Sequence, residues 1–249
     1  MATKTEDTGV QAELARAYPD LHDHIEALDR EGLLQTVDEP IDKDSEIHPL
    51  VRWQFQGGLA ESERKAFLFR NIVDGKGRQF DIPVVVCALA ASQDVYSVGM
   101  GVPVDEIGKK WADAIANPIE PNIVDDAPCH DVVIEGAALQ GEGNGLDMLP
   151  IPVSTPGFDS APTLTSTNTI TCDPDTRVHN MGTYRSGLKA PDRLVVRMAT
   201  RVGGAGGYQH WRKYKARGEK MPCAIVLGCP PSVAFMGPQK LPLDVDEVG

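Results

Sequence analysis

Apolar positions recur along the first hundred residues at helical and extended spacings. Leu21, Ile25 and Leu28 share one face of a helix expected over residues 19–33, with Gly32 ending it. Leu34 to Val37 follows as a short strand. Ile47, Leu50, Val51 and Phe55 again align on one helical face, with Ser45 placed as the cap and Gly57-Gly58 as the stop. Phe67 to Phe69 reads as a strand, and Ile82 to Leu89 is a β-branched run of the kind that forms a strand buried on both faces. Val104 to Ala116 predicts a third helix, with Ile107, Trp111 and Ile115 aligned, and Pro118 and Pro121 break the chain after it.

Beyond about residue 120 the pattern changes. Val132 to Ile134, Thr163 to Cys172, Val178 to Arg185, Leu194 to Ala199 and Cys223 to Leu227 all read as strands, with a turn at Asp173-Pro174-Asp175. One helix interrupts them, Gly204 to Ala216, ended by Gly218. Strands joined by turns point to antiparallel sheet in a barrel or sandwich. The expected class is α+β: an α/β domain over residues 1–120 and a β domain over 121–249.

Composition narrows the function. A net charge of −12 argues against a nucleic-acid groove, which needs clustered Lys and Arg. No apolar run is long enough to span a membrane, and Met1 to Asp20 has no apolar leader segment. The five cysteines are odd in number and form no CxxC, so a disulfide framework or zinc ribbon is not expected, and a reducing cytoplasm is. Cys87, inside an apolar run, reads as a small core hydrophobe.

Three stretches could carry chemistry. Thr163 to Cys172 is polar but uncharged; its hydroxyls could bond a phosphate or a flavin edge, although threonine is also simply a good strand former. In Asn180 to Arg185, alternation puts Met181, Thr183 and Arg185 on one face, where an arginine beside hydroxyls could clamp a phosphate or carboxylate. In Arg197 to Gly207, two arginines precede glycines that open a helix, an arrangement that lets backbone N–H groups approach an anion. It fits neither a Walker motif nor a GxGxxG turn. The histidines show no HxxxH or HExxH spacing.

Taken in order, LHDHIEALDREGLLQTVDEPID, FLFRNIVDG, IPVVVCALAAS with VGMGV, APCHDVVIEG, LPIPVSTPG, TLTSTNTITCDPDT, NMGTYRSGLKAPDRLVVRM, GGAGGYQHW and PCAIVLGCPPS resemble the UbiD family over nearly the whole chain. The resemblance implies a split β-barrel as the second domain. It implies reversible, non-oxidative decarboxylation of an aromatic or α,β-unsaturated carboxylic acid on prenylated flavin mononucleotide (prFMN). A divalent metal, usually Mn2+, often with K+, would bridge the phosphate. A flavin prenyltransferase would supply the cofactor. Asn180 and Glu247 match metal ligands. Thr165, Thr183, Tyr184, Arg185, Arg197, Met198, Ala199, Val202 and Gly203 match cofactor contacts, and Arg185 matches the arginine facing the substrate carboxylate. Arg201 stands where the family usually has a histidine ligand, which puts the metal in doubt; a guanidinium can neutralise a phosphate instead. Family members are about twice as long and carry an acidic pair beyond the metal glutamate. The expectation is therefore a truncated chain or one subunit of a split enzyme, acting as a homo-oligomer or with a partner chain that carries the C-terminal half. The alternatives are a flavin-binding or interaction module without turnover and, less well matched, an unrelated FMN-dependent oxidoreductase.

Overall fold

The computed structural model describes residues 20–200 and 203–248. The polar Met1 to Pro19 stretch and the site residues Arg201 and Val202 lie outside the described residues.

Helix α1 (Leu21–Arg30) opens with a capping box: the Asp20 side chain accepts from the Asp23 N–H and Asp23 returns the bond to Asp20. It buries His24 and Leu28, and His24 Nε2 lies 2.6 Å from the Ala88 carbonyl oxygen. Strand β1 (Leu34–Val37) pairs in parallel with β3 (Ala66–Phe69), and β6 (Val84–Val86) adds antiparallel on the far side of β3. A second small sheet runs in the order β2 (Ile41–Asp42), β4 (Ile72–Val73), β5 (Gln79–Phe80). Ile41, Ile47, Val51, Phe69, Ile72 and Phe80 form one core cluster, and Leu28, Ala66, Ala88, Ala91 and Val95 a second.

Several expectations change here. Helix α2 (Ile47–Gln56) has Glu46 rather than Ser45 at its cap position, because the Ser45 hydroxyl is spent on the Asp42 carboxylate at 2.9 Å. Its buried stripe is Ile47, Val51 and Gln54, while Leu50 and Phe55 are exposed; Gln54 earns its burial by bonding the Lys65 backbone in both directions. The run Ile82 to Leu89 yields only the three-residue edge strand β6, half-buried, which stops at Cys87 with φ 63°, a left-handed conformation incompatible with a strand. Cys87 does pack against both clusters. Helix α3 (Gln93–Met100), capped by Ser92, was not expected. The Val104 to Ala116 helix is confined to α4 (Ile107–Ala116) after a single tight turn, and Ile115 is exposed.

Val132 to Ile134 forms no strand; the three side chains are exposed and no described strand lies beside them to pair with. The run Thr163 to Cys172 divides into β7 (Thr163–Leu164) and β8 (Asn168–Cys172), which belong to different sheets. Then come β9 (His179–Thr183), β10 (Ser186–Ala190), β11 (Arg193–Val196), α5 (Gly206–Ala216), β12 (Cys223–Val226) and a one-turn helix α6 (Pro231–Ala234). The sheets run β12-β8-β9 and β11-β10-β7, antiparallel throughout. The class is thus mixed α+β, and the second half is two three-stranded antiparallel sheets, with no closed barrel among the described strands. No helix among the described residues is long and apolar enough to cross a membrane.

Candidate functional site

The register of β8 against β9 sorts the second-half residues. Asn168, Ile170 and Cys172 stand opposite Thr183, Met181 and His179, and these six share one face. Thr169 and Thr171 stand opposite Gly182 and Asn180 on the other face, the one that α5 covers: Thr171 Oγ1 lies 2.9 Å from Nδ1 of the buried His210 in that helix. Asn180 and Thr183 therefore point to opposite sides of the strand. Strand β9 ends at Thr183, and Tyr184-Arg185 carry the chain across to β10 in the next sheet, so the alternation that put Arg185 with Met181 and Thr183 does not extend to it.

Tyr184 folds back over Gly182, where a side chain would strike its ring. Its hydroxyl donates to Asn180 Oδ1 at 2.7 Å and accepts from the Gly207 N–H at 3.1 Å, linking β9 to the start of α5. The Asn180 amide donates in turn to Glu247 Oε2, which also accepts the Met181 N–H at 2.7 Å. The segment bearing Glu247 runs along the outer edge of β9. The Thr183 N–H donates to the Gly237 carbonyl at 2.9 Å, the Glu247 N–H donates to the His179 carbonyl at 3.1 Å, and Asp246 accepts the His179 N–H at 2.9 Å. Residues 237–248 are thus a strap fastened to the strand edge.

Burial pushes the Glu247 carboxyl up, although the Met181 N–H and the Asn180 amide favour its charged form. Burial likewise raises Tyr184, with the nearby Glu247 charge acting the same way. Asp246 is also partly desolvated, but hydrogen bonds from His179 and Val248 outweigh this and hold it below the usual carboxylate range.

Between the strap, β9 and the glycine turn lies a cavity of about 520 Å³, lined by Asn180, Thr183, Tyr184, Ala199, Gly203 and Glu247 among others. Six of the residues singled out from the sequence thus meet around one space. Thr165 does not; it lines a separate cavity of about 430 Å³ with His48 and the Val84 to Ala90 stretch. Arg185 and Arg197 are exposed, joined only by the Arg197 N–H to Arg185 carbonyl bond at 3.0 Å, and among the described residues neither guanidinium makes a hydrogen bond or an ion pair. Met198 is half-buried against Gly207. The sequence reading missed the strap residues Gly237 to Leu243, including Lys240, and the closeness of Gly206 to Asn180. The Gly-Pro pair at Gly237-Pro238 was the available signal for a fixed turn there.

Two family descriptions match the chain: the 3-octaprenyl-4-hydroxybenzoate carboxy-lyase N-terminal domain over residues 25–115, and the Rift-related domain of the same carboxy-lyase, UbiD, over residues 122–249. The chain belongs to the UbiD family. The UbiD-class enzyme HmfF from Pelotomaculum thermopropionicum, solved with FMN, is 28% identical with a TM-score of 0.76, the match covering 92% of this chain and 47% of that one. An evolved dimeric form of HmfF, solved with prFMN, is 26% identical with a TM-score of 0.73, covering 92% and 49%. The closed form of vanillic acid decarboxylase from Sedimentibacter hydroxybenzoicus shares the fold at 23% identity and a TM-score of 0.76, covering 93% and 47%. This UbiD-family chain therefore spans about half the length of the solved relatives it matches.

Proposed function

We propose that this chain is the flavin-holding part of a UbiD-type carboxy-lyase acting on an aromatic or α,β-unsaturated carboxylic acid. The observation that carries this reading is the cavity of about 520 Å³, which gathers Asn180, Thr183, Tyr184, Ala199, Gly203 and Glu247, residues up to 67 positions apart in the chain. Its walls suit a flavin phosphate: glycines that leave the backbone accessible at Gly203, Gly204 and Gly206, the Thr183 hydroxyl, and Lys240 as the cationic side chain among the described lining residues. When bound, prFMN would supply the electron sink for loss of CO2, and the protein orientation and electrostatics. Arg185, exposed and with a guanidinium that makes no hydrogen bond or ion pair among the described residues, would receive the substrate carboxylate in a forked, charge-assisted contact. Arg197, Met198, Arg201 and Val202 complete the proposed flavin contacts, and Thr165, which lines the separate cavity, is left out of them. A flavin prenyltransferase would supply the cofactor in the cytoplasm. We assign the division between an N-terminal α/β unit and a split-barrel unit to about residue 120. The chain would work as a homo-oligomer or with a partner supplying the remaining half.

The second reading, a flavin-binding module without turnover, is favoured by the Arg185 guanidinium having no acidic partner among the described residues. Flavin binding and CO2 release separate the two. Purified chain should quench FMN fluorescence, and Arg197→Ala should weaken that binding by about tenfold, the loss of one charge-assisted hydrogen bond. Loaded with prFMN and assayed with a panel of aromatic and acrylic acids, these 249 residues alone should release little CO2. A positioned acid typically contributes about 10²–10⁴-fold, and among the described residues none is bonded to the Arg185 guanidinium. Turnover restored by adding the C-terminal half in trans selects the split enzyme; flavin binding without any restored turnover selects the module. Failure to bind either flavin would sink both.

A further inference from the structure

The UbiD resemblance implies Asn180 and Glu247 as metal ligands, and the described residues do not fit a divalent ion there. Among them no three His, Cys, Asp or Glu side chains converge on one point, and Glu247 is the only acidic side chain lining the cavity. Two oxygens of this pair, Glu247 Oε2 and Asn180 Oδ1, are committed to protein donors. Glu247 Oε2 takes the Met181 N–H and the Asn180 amide, and Asn180 Oδ1 takes the Tyr184 hydroxyl, itself fixed by the Gly207 N–H. The Asn180 amide nitrogen, a donor with partial positive charge, is the atom turned towards the carboxylate, where a cation would require the carbonyl oxygen. Divalent manganese takes oxygen or imidazole ligands, and the residue at position 201 is an arginine, which has no lone pair to offer.

We propose that in this chain the Asn180–Glu247 pair is a metal-free latch. It fastens the strap of residues 237–248 to β9, and it leaves the charge of a bound flavin phosphate to Lys240, the cationic side chain among the described lining residues. The latch stands on the hydrogen bonds alone; the phosphate half rests on the flavin reading above. The geometry couples two elements directly. The carboxylate of the strap closes on a backbone N–H and a side-chain amide of one strand, so removing the amide loosens the strap at Glu247 without any ion being involved.

The test uses the whole purified chain. Mn2+ is titrated with detection by electron paramagnetic resonance, thermal melts are run with excess Mn2+ or EDTA, and FMN affinity is measured by fluorescence quenching in both conditions. The expected result is no protein-bound Mn2+ signal, a Tm indifferent to either addition, and an FMN Kd that does not respond to the metal. Stoichiometric Mn2+ binding, or an FMN affinity that collapses in EDTA, would overturn the proposal. Asn180→Ala should lower the Tm in the presence and absence of metal; an unchanged Tm overturns the latch. Arg201→His should make FMN affinity Mn2+-dependent by about tenfold, a usual size for coupling between two ligands. If that variant stays indifferent to Mn2+, the role given to position 201 is wrong. If the chain takes up no FMN at all, the flavin reading and the phosphate half fall together, while the Mn2+ signal and the Asn180→Ala melt still decide the latch.

Discussion

A methyl group on Gly206 would lie 2.5 Å from the Asn180 side chain, well inside van der Waals contact. The helix start can approach β9 this closely only because the residue there has no side chain. Gly206→Ala is expected to push Asn180 off Glu247 or lift the first turn of α5, at a cost of about 1–3 kcal/mol as overpacking. The check is a denaturant melt together with FMN affinity; a variant with unchanged stability and binding would show that the contact is not needed. At this scale Asn180, Tyr184 and Glu247 were legible because a series of motifs in order placed them. The shared face of Arg185 with Met181 and Thr183 rested on strand alternation, which ends where the chain crosses to β10. Gly206 looked like any turn glycine, because its neighbour in space, Asn180, lies far from it along the chain.

Helix α5 is tied to the β8–β9 turn by a charged cluster. The buried Asp173 accepts from Lys213 and lies 3.8 Å from His210, while Asp175 accepts from Arg217 and meets Lys213 at 3.2 Å. Burial alone would raise the Asp173 carboxyl, but the Lys213 ammonium and the N–H groups of Asp175 and Thr176 more than offset it and hold it at about 2. Because that value is below the ordinary 3.8, the cluster stabilises the fold fully above about pH 4, and the contribution is lost as pH falls through about 2. Asp173→Asn should therefore cost about 1–3 kcal/mol at neutral pH, the size of a hydrogen bond to a charged group. The gap between variant and wild type should close near pH 2 in urea melts; a gap that persists there would exclude this carboxylate as its source. The α5 helix itself was readable from its glycine-bounded pattern. The long apolar and threonine-rich runs were not, because what divides them is tertiary: the left-handed turn at Cys87 ends one, and the passage between two sheets at Thr165 to Thr167 splits the other.

Across the whole molecule, the mixed α+β class and the antiparallel second half followed from the change of pattern near residue 120. The division of the described strands into four three-stranded sheets did not, because pairing depends on which strands meet and periodicity records only which face each one buries. Val132 to Ile134 shows the limit: a β-branched triplet remains irregular where no described strand pairs with it. The strap has a further consequence, for how opening of the cavity can be observed. Along the outer edge of β9 the Met181 and Thr183 amides are bonded by Glu247 and Gly237. Those two protons can exchange with solvent deuterium only when the strap lifts, whereas amides bonded between β8 and β9 require the sheet itself to part. The pair is a built-in clock for access to the site. Both should exchange at one common rate, faster than the sheet interior, and a bound flavin should slow the two together. If Met181 and Thr183 exchange at unrelated rates, the strap frays from one end instead of swinging as a unit.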